Sequence, residues 1–273
     1  VFMLSGLATT ATLLLIRSRV TQELGLDAAG QFAASWSVTM IYVGFLLKSM
    51  GADYFPRLVE VINNRAAANQ LMNDQVQLAL ALGGPVLLLM IGVAPWLIRL
   101  LYSAAFDPAV SLLQWQTVGN VFKLASWPLG FAFVAAARSG VLLSLEIAFN
   151  ILFLTILWVG FPLMGLDAAG LGFAIAYIAH FAVHDRLAHH LLDFRWQSLS
   201  LQLIVGHAVL ALALLALALT FPVAGAIAAV ILATTTGLTG GHIILTKIGP
   251  EGRLVSRVAR FYAAIGWPIQ ETK

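Results

Sequence analysis

Gln116, Asn120, Lys123 and Trp127 are spaced by four, three and four residues, which stacks them on one face if the segment that carries them is helical. An ammonium group suits phosphate oxygens, amides suit hydroxyls, and an indole suits the face of a sugar ring. The stripe therefore has the chemistry of a lining for a polar, anionic, sugar-bearing ligand. The same residues also suit a polar seam between helices, with the amides bonded across the bundle and Lys123 paired with a carboxylate. Glu146 is the candidate for that carboxylate, and Asn150 follows it by four residues on the same face. Either Glu146 is a structural counter-ion for Lys123 or Arg138, or it is a protonatable group whose two forms favour different conformations. Lys48, just before Asp53-Tyr54-Phe55-Pro56-Arg57, completes the set. Snorkelling to the edge of its hydrophobic stretch explains Lys48, with a place in the same cavity as the alternative.

The elements that hold these groups are hydrophobic. Of 273 residues, 60% are hydrophobic and 10% charged, where soluble domains carry about 25% charged residues. The mean hydropathy of +0.92 agrees. A bilayer core about 30 Å thick needs about twenty helical residues. That length places spans at roughly 1–16, 30–52, 77–101, 109–136, 140–161, 168–188, 200–220 and 222–245. The expected fold is all-α, a polytopic membrane protein of about eight transmembrane helices. Gly83-Gly84-Pro85 is expected to interrupt the third span, Pro56 to define the exit of the second, Gly160-Phe161-Pro162 to end the fifth and Phe221-Pro222 to separate the last two. On this layout Lys123 lies mid-span, where a lysine costs about 2.5–3.5 kcal/mol on insertion scales, so it should face a wet cavity or a partner.

Lys and Arg accumulate on cytoplasmic connections. Arg57, Arg65, Arg138 and Lys247 follow even-numbered spans and Arg186 and Arg195 lie around the end of the sixth, which puts both ends of the chain in the cytoplasm; Arg17 and Arg19 fall on the other side. Gly25-Leu26-Asp27-Ala28-Ala29-Gly30 recurs as Gly165-Leu166-Asp167-Ala168-Ala169-Gly170. Each copy opens a hydrophobic stretch on the outer side, with a glycine for a tight turn and an aspartate for a helix start. The repeat is either a reused helix-start device or the trace of a duplicated bundle. Over 250–268, Arg253, Arg257 and Arg260 share one helical face and Leu254, Val258, Phe261, Ile265 and Trp267 supply apolar surface, the make-up of an interfacial helix.

Other chemistries find little footing. Without cysteine, disulfides and thiol chemistry are excluded. His180 and His184, one turn apart and followed by Asp185, His189 and His190, have metal-ligand spacing but no second ligand cluster, and read as titratable side chains near the membrane edge; no metal or cofactor is expected. Neither a P-loop, a GxSxG elbow, an HExxH pair nor a magnesium-holding DxxD cluster is present, and no nucleic-acid partner is implied. The chain opens at Val1 inside an apolar run, without the charged n-region and small-residue cleavage site of a signal peptide, and a further membranous segment is expected before it.

At Asp53-Tyr54-Phe55-Pro56-Arg57-Leu58, and more fully over Leu113-Gln114-Trp115-Gln116-Thr117-Val118-Gly119-Asn120-Val121-Phe122-Lys123, the chain resembles the Wzx-type O-antigen translocases, flippases of the MATE-like exporter superfamily. The resemblance covers about residues 10–190 and includes Ala137-Arg138 and Glu146. It implies the C-terminal six-helix lobe of such a protein over 1–190, two additional transmembrane helices over 191–248 and a cytoplasmic tail over 249–273. It implies translocation of an undecaprenyl-pyrophosphate-linked oligosaccharide across a bacterial inner membrane by alternating access, rather than catalysis. Membrane lipids, an N-terminal lobe of the same chain and the polysaccharide polymerase machinery are the implied partners. Family members often carry an acid where Asn120 stands, and a polar or acidic residue in the second span, where this chain has Ser37, Thr39 and Tyr42. A multidrug or other lipid-precursor exporter is the alternative, and a membrane-embedded prenyl- or glycosyltransferase a more distant one.

Overall fold

The computed structural model describes residues 2–248, 253–264 and 266–268. Apolar side chains at every helical phase and few charges leave the backbone only its own hydrogen bonds, which a helix supplies in full. The described chain accordingly forms eight helices: α1 (Phe2–Val61), α2 (Arg65–Leu101), α3 (Ala109–Ala135), α4 (Ser139–Met164), α5 (Asp167–Leu192), α6 (Ser198–Thr220), α7 (Pro222–Ile248) and α8 (Arg253–Ala264). A single 3-10 turn, Ala104–Phe106, links α2 to α3. Six of the helices, α1, α2, α3, α4, α6 and α7, are long and apolar enough to cross a membrane, the architecture of a polytopic membrane protein. Helix α5 is of similar length but is not among the six, and it carries His180, His184, Asp185 and Arg186 in its second half.

A straight helix of 60 residues would run about 90 Å. Instead α1 folds back at Gly25, whose φ of 90° and ψ of 175° are not helical. Ser5 and Thr9 reach the same cavity as Trp127 and Phe131, and Tyr54 from the far half packs on those two rings. Gly165, the matching residue of the repeated hexapeptide, caps α4 with φ 59° and ψ −138°. Both copies lie at one end of the bundle, beside the α2–α3 connection. Gln31 Nε2 donates to the Ala105 carbonyl at 3.0 Å, and Ser111 Oγ donates to Asp167. Arg57, Arg65, Arg138, Arg186, Arg195 and Lys247 gather at the opposite, basic end.

Several expected limits are corrected. Helix α1 runs on through Arg17, Arg19 and Glu23, because an Arg19–Glu23 pair is at home on a helix and Arg19 also lies over the Trp158 ring. Pro56 and Pro162 sit inside α1 and α4, and Gly83-Gly84-Pro85 sits inside an unbroken α2 that starts twelve residues earlier than the span placed at 77–101. Breakers are tolerated where neighbouring helices occupy the loosened backbone. Pro95 removes the N–H that Ile91 O would take, and Gln114 Nε2 of α3 donates to that oxygen at 2.9 Å. A Cβ at Gly240 of α7 would stand 2.5 Å from Ala81 O, the carbonyl that Pro85 leaves without its helical donor. Phe221 does leave the helix, and Pro222 opens α7.

At the basic end the non-helical residues 193–197 are bracketed onto α2. Asn73 donates to Arg195 O at 2.9 Å and accepts from Gln197 N–H and Ser200 Oγ, both at 2.8 Å. Of the tail, residues 249–252, 265 and 269–273 lie outside the described residues, so the expected interfacial helix is seen through α8 and residues 266–268.

Candidate functional site

Helix α3 is held between the second arm of α1, α2 and α5, and its lower half borders a cavity of about 320 Å³. The wall is built by Ser5, Gly6 and Thr9 of α1, Lys123, Ser126, Trp127, Gly130 and Phe131 of α3, Leu142 and Glu146 of α4, and Tyr177, His180 and His184 of α5. Gly130 keeps the α3 side shallow: a Cβ there would meet Leu142 at 3.2 Å and His184 Nε2 at 3.6 Å.

Lys123 is half-buried. Its Nζ lies 3.7 Å from Met40 Sδ and 5.2 Å from the centre of the Tyr177 ring, a cation–π position. Among the described residues no carboxylate forms a contact ion pair with it, although Glu146 is near enough for the two charges to interact. Glu146 Oε1 instead stands 4.0 Å from His180 Nε2, and its side chain is 31% exposed, so the chamber is not sealed. The His180 and His184 rings are 4.1 Å apart. His184 Nδ1 is 2.9 Å from the His180 carbonyl, which can only accept, so Nδ1 carries a proton and neutral His184 leaves its Nε2 bare as an acceptor. Phe149 and Phe173 pack on Tyr177 with ring centres 4.4 and 4.6 Å away and fix its face toward Lys123. The site thus offers one cation, one carboxylate, two imidazoles, hydroxyls from Ser5, Thr9 and Ser126, and the faces of Trp127, Phe131 and Tyr177. It can bind an anionic group beside an aromatic platform, with Glu146 and His180 facing each other beyond hydrogen-bond distance.

The structure brings Lys123, Trp127 and Glu146 together and leaves the other expected residues elsewhere. Gln116 and Asn120 are fully buried and do not line the chamber. One turn above Lys123, Gly119 lets α5 close in, since a Cβ there would stand 2.8 Å from Phe173 and 3.0 Å from Ala174 Cα. The stripe shares a face, but the space in front of it closes. Thr39 Oγ1 donates to Gln116 Oε1 at 2.9 Å, while Gln116 Nε2 and both amide atoms of Asn120 have no protein partner. Lys48 is exposed and away from the chamber. Arg138 is exposed at the basic end, where it borders a separate pocket of about 490 Å³ with Arg65 and Asp193 and makes no contact with Glu146.

Tyr177, His180 and His184 are the residues sequence reasoning did not place in the site. Their spacing of three and four is the same one-face signal as that on α3. Among the described residues no group of three or more His, Cys, Asp or Glu has a metal-holding arrangement. No protein-family model matches the chain, and no curated protein matches it.

Proposed function

We propose that this chain forms the C-terminal lobe of a bacterial inner-membrane translocase for an undecaprenyl-pyrophosphate-linked oligosaccharide, working by alternating access with a second lobe of the same protein. The observation that carries the reading is the Lys123 ammonium, which borders an unsealed chamber at mid-helix without a carboxylate in contact. A half-buried lysine at membrane depth without such a partner is costly unless water or an anionic substrate answers it. Phosphate oxygens would face Lys123, sugar rings would lie on Trp127 or Tyr177, and the polyprenyl tail would stay in the bilayer. Cation-rich connections support a cytoplasmic basic end, with both ends of the chain on that side.

Complementation of a flippase-deficient bacterium by the full-length protein tests this. Lys123→Ala, expressed at the wild-type level, should lower surface polysaccharide at least tenfold, and Lys123→Arg should retain most of it. Full polysaccharide from Lys123→Ala overturns the proposal.

A second reading has its own support, because Glu146 shares the chamber with Trp127, Phe131 and Tyr177, the surroundings an organic cation prefers. Resistance to lipophilic cations that Glu146→Gln abolishes, with polysaccharide export unchanged, would favour a drug exporter.

A further inference from the structure

Helix α8 is tied down near its C-terminal end, and among its described side chains two large apolar ones are exposed. The Tyr262 hydroxyl donates to Leu238 O of α7 at 2.6 Å and its ring is buried, while Trp267 stacks on His242 with ring centres 4.3 Å apart and planes 13° apart. Val258 and Phe261, in contrast, are 44% and 50% exposed. The height of this attachment is fixed by α2. Gly240, two residues from Leu238, abuts the Ala81 backbone, and Ala81 lies just past the point where α2 changes character. Before it come Arg65, Asn69, Gln70, Asn73, Asp74 and Gln77; after it the helix is apolar until Arg99 in its last turn, and Lys247 pairs with Asp74 on the polar side. The anchor of α8 therefore stands at the polar–apolar boundary of the bundle, at its basic end.

We infer that α8 is a surface-lying helix that binds an anionic phospholipid leaflet, sinking Val258 and Phe261 among the acyl chains and setting Arg260 among the headgroups. Apolar side chains exposed at that height would otherwise meet water, and a helix with arginines at 253, 257 and 260 complements negative lipid rather than neutral lipid. Independent of what the chamber carries, this gives the basic end a lipid preference.

The protein has no cysteine, so single labelling sites need no background removal. Phe261→Cys and Val258→Cys, each carrying a nitroxide, are placed in nanodiscs of phosphatidylcholine with or without phosphatidylglycerol, and accessibility to oxygen is compared with accessibility to a water-soluble nickel chelate. A label at Val209, exposed midway along α6, reports lipid contact in both discs and confirms a folded bundle. With phosphatidylglycerol the α8 labels should favour oxygen. Without it, or with Arg260→Glu, the population in lipid should fall by more than about fivefold, since one basic side chain at an anionic surface is worth that much and each change removes more than one unit of attraction. Labels at 258 and 261 that stay chelate-accessible in both discs overturn the inference. So does equal immersion in both discs that Arg260→Glu leaves unmoved.

Discussion

Replacing Gln114 by leucine should destabilise the bundle by about 1–2 kcal/mol, and replacing Pro95 by alanine beforehand should remove most of that cost. The Ile91 carbonyl lacks its usual donor because Pro95, four residues on, has no N–H, and Gln114 Nε2 supplies the missing bond at 2.9 Å from the next helix. Ile91 is fully buried and Gln114 is 1% exposed, so no water replaces the amide once it is gone. A buried acceptor left unpaired costs about 1–3 kcal/mol, whereas interhelical bonds in membrane bundles average about 0.6 and reach about 1.7 kcal/mol. The range of 1–2 kcal/mol follows, since leucine fills nearly the same volume and adds no cavity term. With alanine at 95 the helix regains its own donor, and Gln114 becomes dispensable. The assay is reversible unfolding of the purified protein in mixed micelles by added anionic detergent, run on the four members of the double-mutant cycle. An interaction energy of at least about 0.5 kcal/mol is expected, and equal penalties within about 0.3 kcal/mol in both backgrounds would refute the reasoning.

Gly25→Ala and Gly165→Ala should each cost about 1–3 kcal/mol through backbone strain alone, because both glycines have positive φ in regions closed to L side chains and a Cβ at either meets nothing within 4 Å; the same unfolding assay reads it. Gly240→Val should cost about 1–3 kcal/mol by wedging α7 from the Ala81 backbone, and Gly206→Val, at a glycine with open space, should cost clearly less. The Arg99 guanidinium, bonded to both Asp107 carboxylate oxygens at 2.8 and 2.6 Å, holds that carboxyl below its ordinary value. A depressed carboxylate stabilises the fold above its unfolded pKa, about 3.9, and that contribution is lost as pH falls through the lower folded value. Thermal unfolding of Asp107→Asn should therefore lie below wild type at pH 6 and converge with it in strong acid.

Most helix positions were legible because length and hydropathy decide them, but their ends were not. Pro56, Pro85 and Pro162 read as breaks on local propensity, yet each stays within a helix because the surrounding bundle outweighs local preference. The turn after the first stretch proved narrower than expected for the same reason: Arg17, Arg19 and Glu23 are compatible with a helix, so the reversal falls on Gly25 alone. At the chamber, cost and spacing pointed to Lys123, Trp127 and Glu146. What faces them depends on which helix lies across from α3, and that choice is made by close approaches such as Gly119 on Phe173 and Gly170 on Leu112. A periodic pattern on α3 carries no information about its neighbour's identity, which is why Tyr177, His180 and His184 are not expected in the chamber and why Asn120 is expected to line it with Lys123.

The hexapeptide that reverses the chain twice also sets a common ruler. Met40 and His180 each stand fifteen residues past its leading glycine, about 22 Å along their helices. Lys123 touches Met40, and Tyr177, one turn before His180, covers its other flank. Two helices that start from the same hexapeptide thus flank the lysine, with the Met40 thioether on one and, three residues short of the matching position, the Tyr177 ring on the other. A one-residue insertion after either hexapeptide would turn that flank by about 100° and leave the other in place.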